Sequence, residues 1–314
     1  MKFTRLVTFL LAGISTSLIA APFAYVPNEG SGTISIIDTQ TDTVTGEIAI
    51  GGKPRGIAIS PDGKRLYVSE QKGEHVDVID TATKKFIKKI PVGDSPEAVY
   101  VNQDGTLIAV ANEEANTVSL IDAKALKIKS TIKLSGKNPE HAVFSPDGKL
   151  IFASAEEADK VDVVSVEKKK QIAQIDVGLR PRGIAFTPDG KKAFVASELV
   201  DTLYAIDVQT LKVTGKVKTG VRINGVTMHP NGKTVFVTNG GDANVSFVDT
   251  ETLEIKANVP VGKRPWNMAI TADGKKLYVA AGRSDAVSVI DTETAKTIKE
   301  IAVGKLPWGV VIGK

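Results

Sequence analysis

The sequence predicts an all-β fold, a seven-bladed β-propeller whose blades are four-stranded antiparallel sheets. Three markers recur along the 314 residues in steps of 42 or 43. A period in the low forties is typical of propellers and solenoids. The markers are the turn acid (Asp62, Asp104, Asp147, Asp189, Asp273, with Asn231 once), the residue that ends V-x-V-I-D (Asp38, Asp80, Asp122, Ser165, Asp207, Asp249, Asp291) and the Gly of V-G-x-x-P (Gly51, Gly93, Gly136, Gly178, Gly220, Gly262, Gly304).

One repeat, residues 57–98, shows how each strand arises. Residues 56–60 form a short apolar run suited to a strand buried on both faces. Pro61-Asp62-Gly63 predicts a turn, because Pro presets φ and Gly accepts the positive φ that follows. Residues 66–69 and 76–79 are rich in β-formers. Residues 86–90 alternate like a half-exposed outer strand, so the repeat holds four strands.

The two ends of the chain predict how the ring closes. Seven V-G-x-x-P segments accompany only six Pro-Asp-Gly-type turns. Residues 24–27 align with a second strand, and residues 307–312 align with a first strand. We therefore expect the N- and C-terminal strands to share one blade, which removes the free edges of an open array.

Residues 1–20 have the pattern of an export signal. Lys2 and Arg5 precede an apolar run over residues 6–19, and Ala20 and Ala21 suit a cleavage site. The run is shorter than a comfortable membrane span, so we expect a periplasmic or secreted protein in which residues 21–314 form one propeller domain. The chain has no Cys and a net charge of +4, which falls to about +2 when Lys2 and Arg5 are removed with the signal. This charge is too weak to indicate nucleic acid by itself.

Several second strands carry a family resemblance. Residues 66–70 (LYVSE), 236–240 (FVTNG), 277–281 (LYVAA) and 24–28 (AYVPN) resemble the YVTN β-propeller repeat. With the export signal and the ending GKLPWGVVI at 304–312, the chain looks most like the PQQ-dependent catabolism-associated β-propeller proteins. That resemblance implies a periplasmic protein associated with quinoprotein alcohol oxidation, with PQQ as a ligand or as the cofactor of a partner dehydrogenase, and with no established reaction of its own.

On one face of the ring, the loops carry different residues in each blade, although the repeat would permit the same residue in all of them. Turns of the Pro-Asp-Gly and Thr-x-Thr types share one face, and the V-G-x-x-P loops open onto the channel at the other. An acidic sector (Glu97, Glu140 and His141, with Glu113, Glu114, Glu156 and Glu157 in the neighbouring loops) and a basic sector (Arg55, Arg180, Arg182, Arg222, Arg264) are expected there. The remaining candidate site residues are Asn224, Trp266, Asn267 and Trp308.

A channel mouth with an acidic sector on one side and a basic sector on the other favours a non-enzymatic binding protein. Arg grips carboxylates bidentately, and Trp offers a stacking surface. A small anionic and aromatic ligand, PQQ among others, or a periplasmic protein partner would suit it. The structural alternative is that the charged residues pair across the channel and that the tryptophans pack the seam of the ring.

Two further functions stay open. A metal-assisted hydrolase or lyase would use Glu97, Glu140 and His141, although their spacing is no recognised ligand signature. A binder of single-stranded nucleic acid would stack bases on Trp266 and Trp308 beside basic side chains, which the low net charge argues against. The sequence contains no G-x-S-x-G or H-E-x-x-H motif, and on balance it leans away from an enzyme.

Overall fold

A computed structural model describes residues 22–313. Within them the chain forms seven four-stranded antiparallel sheets, which we number as blades 1–7 in chain order. Blade 1 contains β1 (Phe23–Asn28), β2 (Thr33–Asp38), β3 (Thr43–Ala49) and β28 (Val311–Ile312); blade 2 β4 (Pro54–Ile59), β5 (Arg65–Glu70), β6 (His75–Asp80) and β7 (Phe86–Pro91); blade 3 β8 (Pro96–Val101), β9 (Leu107–Asn112), β10 (Thr117–Asp122) and β11 (Lys127–Lys133); blade 4 β12 (Pro139–Phe144), β13 (Leu150–Ala155), β14 (Lys160–Ser165) and β15 (Lys170–Asp176).

The other three blades follow the same plan. Blade 5 contains β16 (Pro181–Phe186), β17 (Lys192–Ser197), β18 (Thr202–Asp207) and β19 (Lys212–Lys218); blade 6 β20 (Ile223–Met228), β21 (Thr234–Asn239), β22 (Asn244–Asp249) and β23 (Ile255–Pro260); blade 7 β24 (Pro265–Ile270), β25 (Lys276–Ala281), β26 (Ala286–Asp291) and β27 (Lys296–Ala302). Two short 3₁₀ turns, Glu156–Ala158 and Glu198–Val200, are the helical elements of the described chain. The predicted fold class and seven-blade count are confirmed.

The ring closes in blade 1 as predicted. Strand β28 pairs with β1 through Ala24 opposite Ile312 and Tyr25 opposite Val311. The backbone N–H of Gly313 donates to the carbonyl of Phe23 at 2.8 Å. Both ends of the described chain therefore contribute to the same sheet, and β1 has no free edge on the channel side.

Apolar side chains from neighbouring blades interlock to form the core. Between blades 2 and 3, for example, Tyr67, Val76 and Val78 pack with Val99 and Ile108 of the next sheet. Each of these side chains is almost fully buried. Because the chain has no Cys, burial between blades and ring closure hold the fold, as in other repeat proteins whose units contact only their neighbours.

Each innermost strand of blades 2–7 carries a bulge near its start. In blade 2 the register moves from Pro54–Glu70 directly to Ile57–Val68, which leaves Arg55 and Gly56 opposite the single residue Ser69. The Ser69 hydroxyl accepts from the N–H of Gly56 at 2.8 Å and donates to the Glu97 carbonyl of the next blade at 2.5 Å. Bulges re-aim side chains, and these bulges hold the residues that face the channel mouth.

The predicted export signal, residues 1–20, lies outside the described residues. Among residues 22–313, none of the helices has the length and apolar character needed to cross a membrane.

Candidate functional site

The channel mouth is a cavity of about 470 Å³ on the face of the V-G-x-x-P loops. Of the twelve candidate site residues, nine line it, and so does Glu113 from a neighbouring loop. Glu97 is buried behind this lining, His141 lies in the channel below, and Arg222 stands at the outer rim. The lining residues are Glu29, Arg55, Gln71, Glu113, Glu140, Arg180, Arg182, Asn224, Arg264, Trp266, Asn267, Leu306 and Trp308.

One wall of the mouth is built around the buried carboxylate of Glu198, whose side chain has no exposed surface. Four arginines from blades 5–7 and their loops approach it: Arg182 Nε at 2.9 Å, Arg264 Nη2 at 2.8 Å, Arg222 Nη2 at 3.0 Å and Arg180 Nε at 3.6 Å. Burial opposes ionisation, but Arg182 and Arg264 outweigh it and lower the pKa of Glu198 to about 2. This carboxylate therefore stays ionised and fixes the arginines.

The acidic and basic sectors expected from the sequence are not separate. Arg182 contacts both Glu140 and Glu156 as well as Glu198. Burial raises the pKa of Glu156 to about 7, although Arg180 opposes that shift from 2.9 Å. The charged groups thus pair with one another, as the structural alternative proposed, while Arg180 keeps more than a third of its side chain exposed to solvent.

The opposite wall contains a pair of interacting carboxyl groups, Glu97 and Glu113. Burial raises the pKa of Glu97 to about 8, with Glu113 adding to the shift through charge and a hydrogen bond, while Arg55 opposes it. Gln71 Nε2 donates to Glu97 Oε1 at 2.9 Å, and Ser95 Oγ donates to Glu113 Oε2 at 3.1 Å. Two carboxyl groups that share a site retain a proton near neutral pH. Of this pair, Glu113 is the residue that lines the cavity.

Trp308 forms the floor of the mouth. Its ring stacks on that of His141, with centroids 6.0 Å apart and planes 22° apart, and His141 comes from blade 4 across the channel. The Tyr100 hydroxyl lies 2.7 Å from Nδ1 of His141. Trp308 lines both the mouth and the lower channel, so it separates two chambers rather than packing only the seam where the chain ends meet.

The structure does not unite Glu97, Glu140 and His141 as metal ligands. Glu97 contacts Arg55, Glu140 contacts Arg182, and His141 lies beneath the floor of the mouth. Residues 22–313 contain no group of three or more His, Cys, Asp or Glu side chains placed to hold a metal ion.

Sequence reasoning missed a slot that contributes one residue per blade. The second residue after each Y-V-T position lies at the mouth or in its walls, and three of these residues, Glu29, Gln71 and Glu198, were not predicted as site residues. Blades 6 and 7 have Gly240 and Gly282, where an added Cβ would lie 2.9 Å from Arg264 and 2.5 Å from Trp266. Aligning this slot would have found it: Glu29, Gln71, Glu113, Glu156, Glu198, Gly240, Gly282.

Two family models match the chain over more than half of its length each. The model "Lactonase, 7-bladed beta-propeller" matches residues 135–302, and the model "Cytochrome D1 heme domain" matches residues 13–184. Among curated proteins, PE-PGRS family protein PE_PGRS18 of Mycobacterium tuberculosis is 57% identical over 37 residues. That match covers 12% of this chain and spans only 8% of the length of the relative.

Solved structures with the same fold cover nearly the whole chain. A chain of hydrazine synthase from Kuenenia stuttgartiensis is 24% identical, covering 91% of this chain and 99% of its own, with a TM-score of 0.77. A 6-phosphogluconolactonase-like protein of Bacteroides fragilis is 19% identical, covering 95% and 99%, with a TM-score of 0.81. At these identities the likeness supports the fold alone.

The prediction of a non-enzymatic accessory to PQQ-dependent alcohol oxidation is wrong. The matching models describe a lactonase propeller and a haem domain, which point to an enzymatic or haem-related function. The repeat motifs indicated the propeller correctly but not the subtype. The periplasmic location and a periplasmic protein partner stay predictions.

Proposed function

The chain belongs to the family of seven-bladed β-propellers that includes the lactonases, and on this basis we propose that it hydrolyses a small anionic lactone in the mouth. Fold alone does not supply function, and the side chains of the mouth are what support this proposal. The observation that carries it is the carboxyl of Glu113, which lines the same cavity as a cluster of arginines and is backed by the buried carboxyl of Glu97. A volume of about 470 Å³ suits a small molecule.

The arginines supply the binding energy for an anionic group. Arg180 and Arg264 line the cavity, and Arg180 is well exposed. Guanidinium groups bind carboxylate or phosphate with charge-assisted hydrogen bonds. Because Glu198 already holds these side chains in place, little ordering is required when a ligand binds. Trp266 provides an apolar surface for the ring of the substrate.

The carboxyl pair supplies acid–base chemistry. Its ionised member removes a proton from water, and the water oxygen attacks the lactone carbonyl. The ring C–O bond then breaks, and Glu113, the member of the pair that lines the cavity, gives the proton that it took from water to the departing alkoxide oxygen, which yields a hydroxy acid. The buried Glu97 keeps its own proton and acts through Glu113. A group with a pKa near neutrality is best suited to such transfers. No metal ion is needed to balance this sequence of steps.

A haem does not fit the mouth as it stands. The arginines suit haem carboxylates, but haem iron is held by His, Cys, Met or Tyr. None of the described residues that line the mouth is of these types. His141 and Met268 lie in the channel below Trp308. We therefore derive no step through a haem.

The test is the hydrolysis of 6-phosphogluconolactone, with uncharged gluconolactone for comparison. The rate is measured from the acid that the reaction releases. We expect a rate above the spontaneous one and a preference for the phosphorylated lactone. Glu113→Gln and Glu97→Gln should each lower kcat by about 10²–10⁴-fold. Arg180→Gln should mainly raise KM. Because the pair loses its last proton near the pKa of Glu97, about 8, activity should fall above that pH.

Glu114→Gln is the matched control, since Glu114 neighbours Glu113 but is exposed and does not line the mouth. It should leave the rate and KM unchanged. EDTA should have no effect on the wild-type rate. Lactone hydrolysis no faster than the spontaneous reaction, or equal activity in Glu113→Gln and Glu114→Gln, would overturn the proposal.

A further inference from the structure

Below Trp308 the channel contains a second cavity of about 370 Å³, which we call the lower chamber. It lies toward the Pro-Asp-Gly turns, on the side of Trp308 away from the mouth. The residues at its far end are apolar and come from the last positions of the innermost strands: Ile59, Val101, Ile270 and Ile312. The volume falls in the range of small-molecule sites.

The polar side chains of the lower chamber are few, and most of them are already hydrogen bonded. Thr227 Oγ1 donates to the Met268 carbonyl at 3.0 Å, and Asn267 Nδ2 donates to the Trp308 carbonyl at 3.4 Å. Tyr100 Oη pairs with Nδ1 of His141 at 2.7 Å. These contacts hold the three side chains in place.

His141 is the exception. Its side chain is almost completely buried, the residue borders the lower chamber, and Nε2 has no hydrogen-bond partner among residues 22–313. Burial lowers the pKa of His141 to about 4, so the ring is neutral at pH 7. An unpaired buried polar atom is destabilising because it has lost its hydrogen bond to water. A ligand that bonds to Nε2 would remove this destabilisation.

The rings around His141 determine the shape of such a ligand. Tyr100 is tilted by 47° to His141 with centroids 5.9 Å apart, and Trp308 stacks on the other side. Flat aromatic molecules pack well against such surfaces. The described residues that line the lower chamber include no Lys, Arg, Asp or Glu, in contrast to the mouth, so a charged molecule would be desolvated there without a counter-charge.

We propose that the lower chamber is a second ligand site, separate from the mouth, that binds a small neutral aromatic alcohol through His141. The hydroxyl bonds to Nε2, the aromatic ring lies among Tyr100, Trp308 and the apolar walls, and the ligand enters from the face of the Pro-Asp-Gly turns. This site does not depend on lactone hydrolysis in the mouth.

Phenol and toluene are matched probes, since they have nearly the same shape but only phenol has a hydroxyl. Binding is measured by isothermal titration calorimetry, together with the ¹⁵N resonances of the histidine rings. We expect phenol to bind at least tenfold more tightly than toluene and to shift the Nε2 resonance of His141. His141→Phe should remove the difference between the two probes. Thr227→Phe, which fills the chamber from a half-buried position, should abolish binding of both.

Arg180→Gln in the mouth is the control, and it should leave phenol affinity unchanged. The proposal is overturned by an absence of saturable phenol binding to the wild type. It is equally overturned by full affinity in Thr227→Phe, by loss of affinity in Arg180→Gln, or by an unshifted His141 resonance at saturation. The resonance measurement uses the wild-type protein, so it does not require His141→Phe to fold.

Discussion

At the scale of single residues, Glu198 determines the geometry of the mouth more than any arginine that it holds. Each guanidinium near it would otherwise be repelled by its neighbours, because the like charges lie within a few ångströms of the same carboxylate. The acid is fully buried and the arginines are partly exposed. The mouth therefore presents donors to a ligand while its internal counter-charge stays hidden.

Replacing Glu198 by Gln should destabilise the fold strongly. The change leaves buried guanidinium groups without their anion, and breaking a buried pair in this way costs about 3–5 kcal/mol. Because the pKa of Glu198 is lowered from 4.5 to about 2, its stabilising effect is present above pH 4.5 and is lost as the pH falls toward 2. Urea unfolding at pH 7 and pH 3 measures both effects.

Glu251→Gln is the control for that experiment, since Glu251 is an exposed acid paired with Lys192 on the opposite face. It should change the free energy of unfolding by no more than about 0.5 kcal/mol. A similar small change for Glu198→Gln would show that the arginine cluster does not need its acid.

The sequence predicted most of the mouth, and its failures have physical causes. Residues at the start of each innermost strand could be found because they occupy one slot of a strict repeat. Glu198 was missed because the following residues, Leu199 and Val200, look like an ordinary loop. The separation into sectors failed because long arginine side chains cross between blades, which a one-residue-per-blade alignment cannot represent.

At the scale of elements, the bulge of the innermost strand in blades 2, 5 and 6 brings neighbouring blades very close together. An added Cβ at Gly56 would lie 2.3 Å from the Glu97 carbonyl oxygen and 2.7 Å from Ala98 Cα. At the same slot in the last repeat, a Cβ on Gly309 would meet only Asn267 Cβ at 3.5 Å. Glycine is therefore required by close packing at position 56, whereas position 309 has room for a larger residue.

Gly56→Ala should therefore destabilise the protein, whereas Gly309→Ala should not. The first substitution pushes β4 away from β8 and should cost about 1–3 kcal/mol, as overpacking does. The second makes an ordinary contact. Comparing the urea midpoints of the two variants with the parent tests this, and equal midpoints would contradict the close approach between blades 2 and 3.

Strands were more predictable than the bulges within them. Residues 56–60 were expected as a strand and Pro54–Ile59 form β4, and residues 76–79 were expected where β6 is His75–Asp80. Periodicity and turn chemistry determine such boundaries. The bulge depends instead on the hydroxyl of Ser69 bridging two blades, a contact between residues that are distant in the sequence.

At the scale of the molecule, closure rests on a short strand. Beyond the two paired residues of β28, the N–H of Trp308 donates to the Pro27 carbonyl at 3.0 Å, and that of Glu29 donates to Leu306 at 3.0 Å. These bonds both close the ring and place Trp308 in the channel. Fold and site are therefore stabilised by the same few contacts.

Deleting residues 307–314 should lower the Tm and promote association, because β1 then has an exposed edge. A circular permutant is the control. In it a flexible linker joins the C-terminal end of the propeller to its N-terminal end, and the new N- and C-termini are placed in the exposed turn 167–169. It keeps β28 beside β1, and we expect it to retain the parent's Tm and elution volume. Calorimetry and size-exclusion chromatography compare the three chains. A deletion variant that behaves like the parent would contradict the role of β28.

The stacking of Trp308 on His141 relates the number of blades to the chemistry of the channel. These residues come from blades 1 and 4, on opposite sides of the axis, and their ring centroids are 6.0 Å apart. A propeller gains or loses blades by duplication or deletion of one repeat, which changes the diameter of the hole at its centre. An eight-bladed descendant could fold as well as this one, yet its tryptophan would no longer reach the histidine. The contact between Trp308 and His141, which divides the channel into two chambers, therefore requires a ring of seven blades.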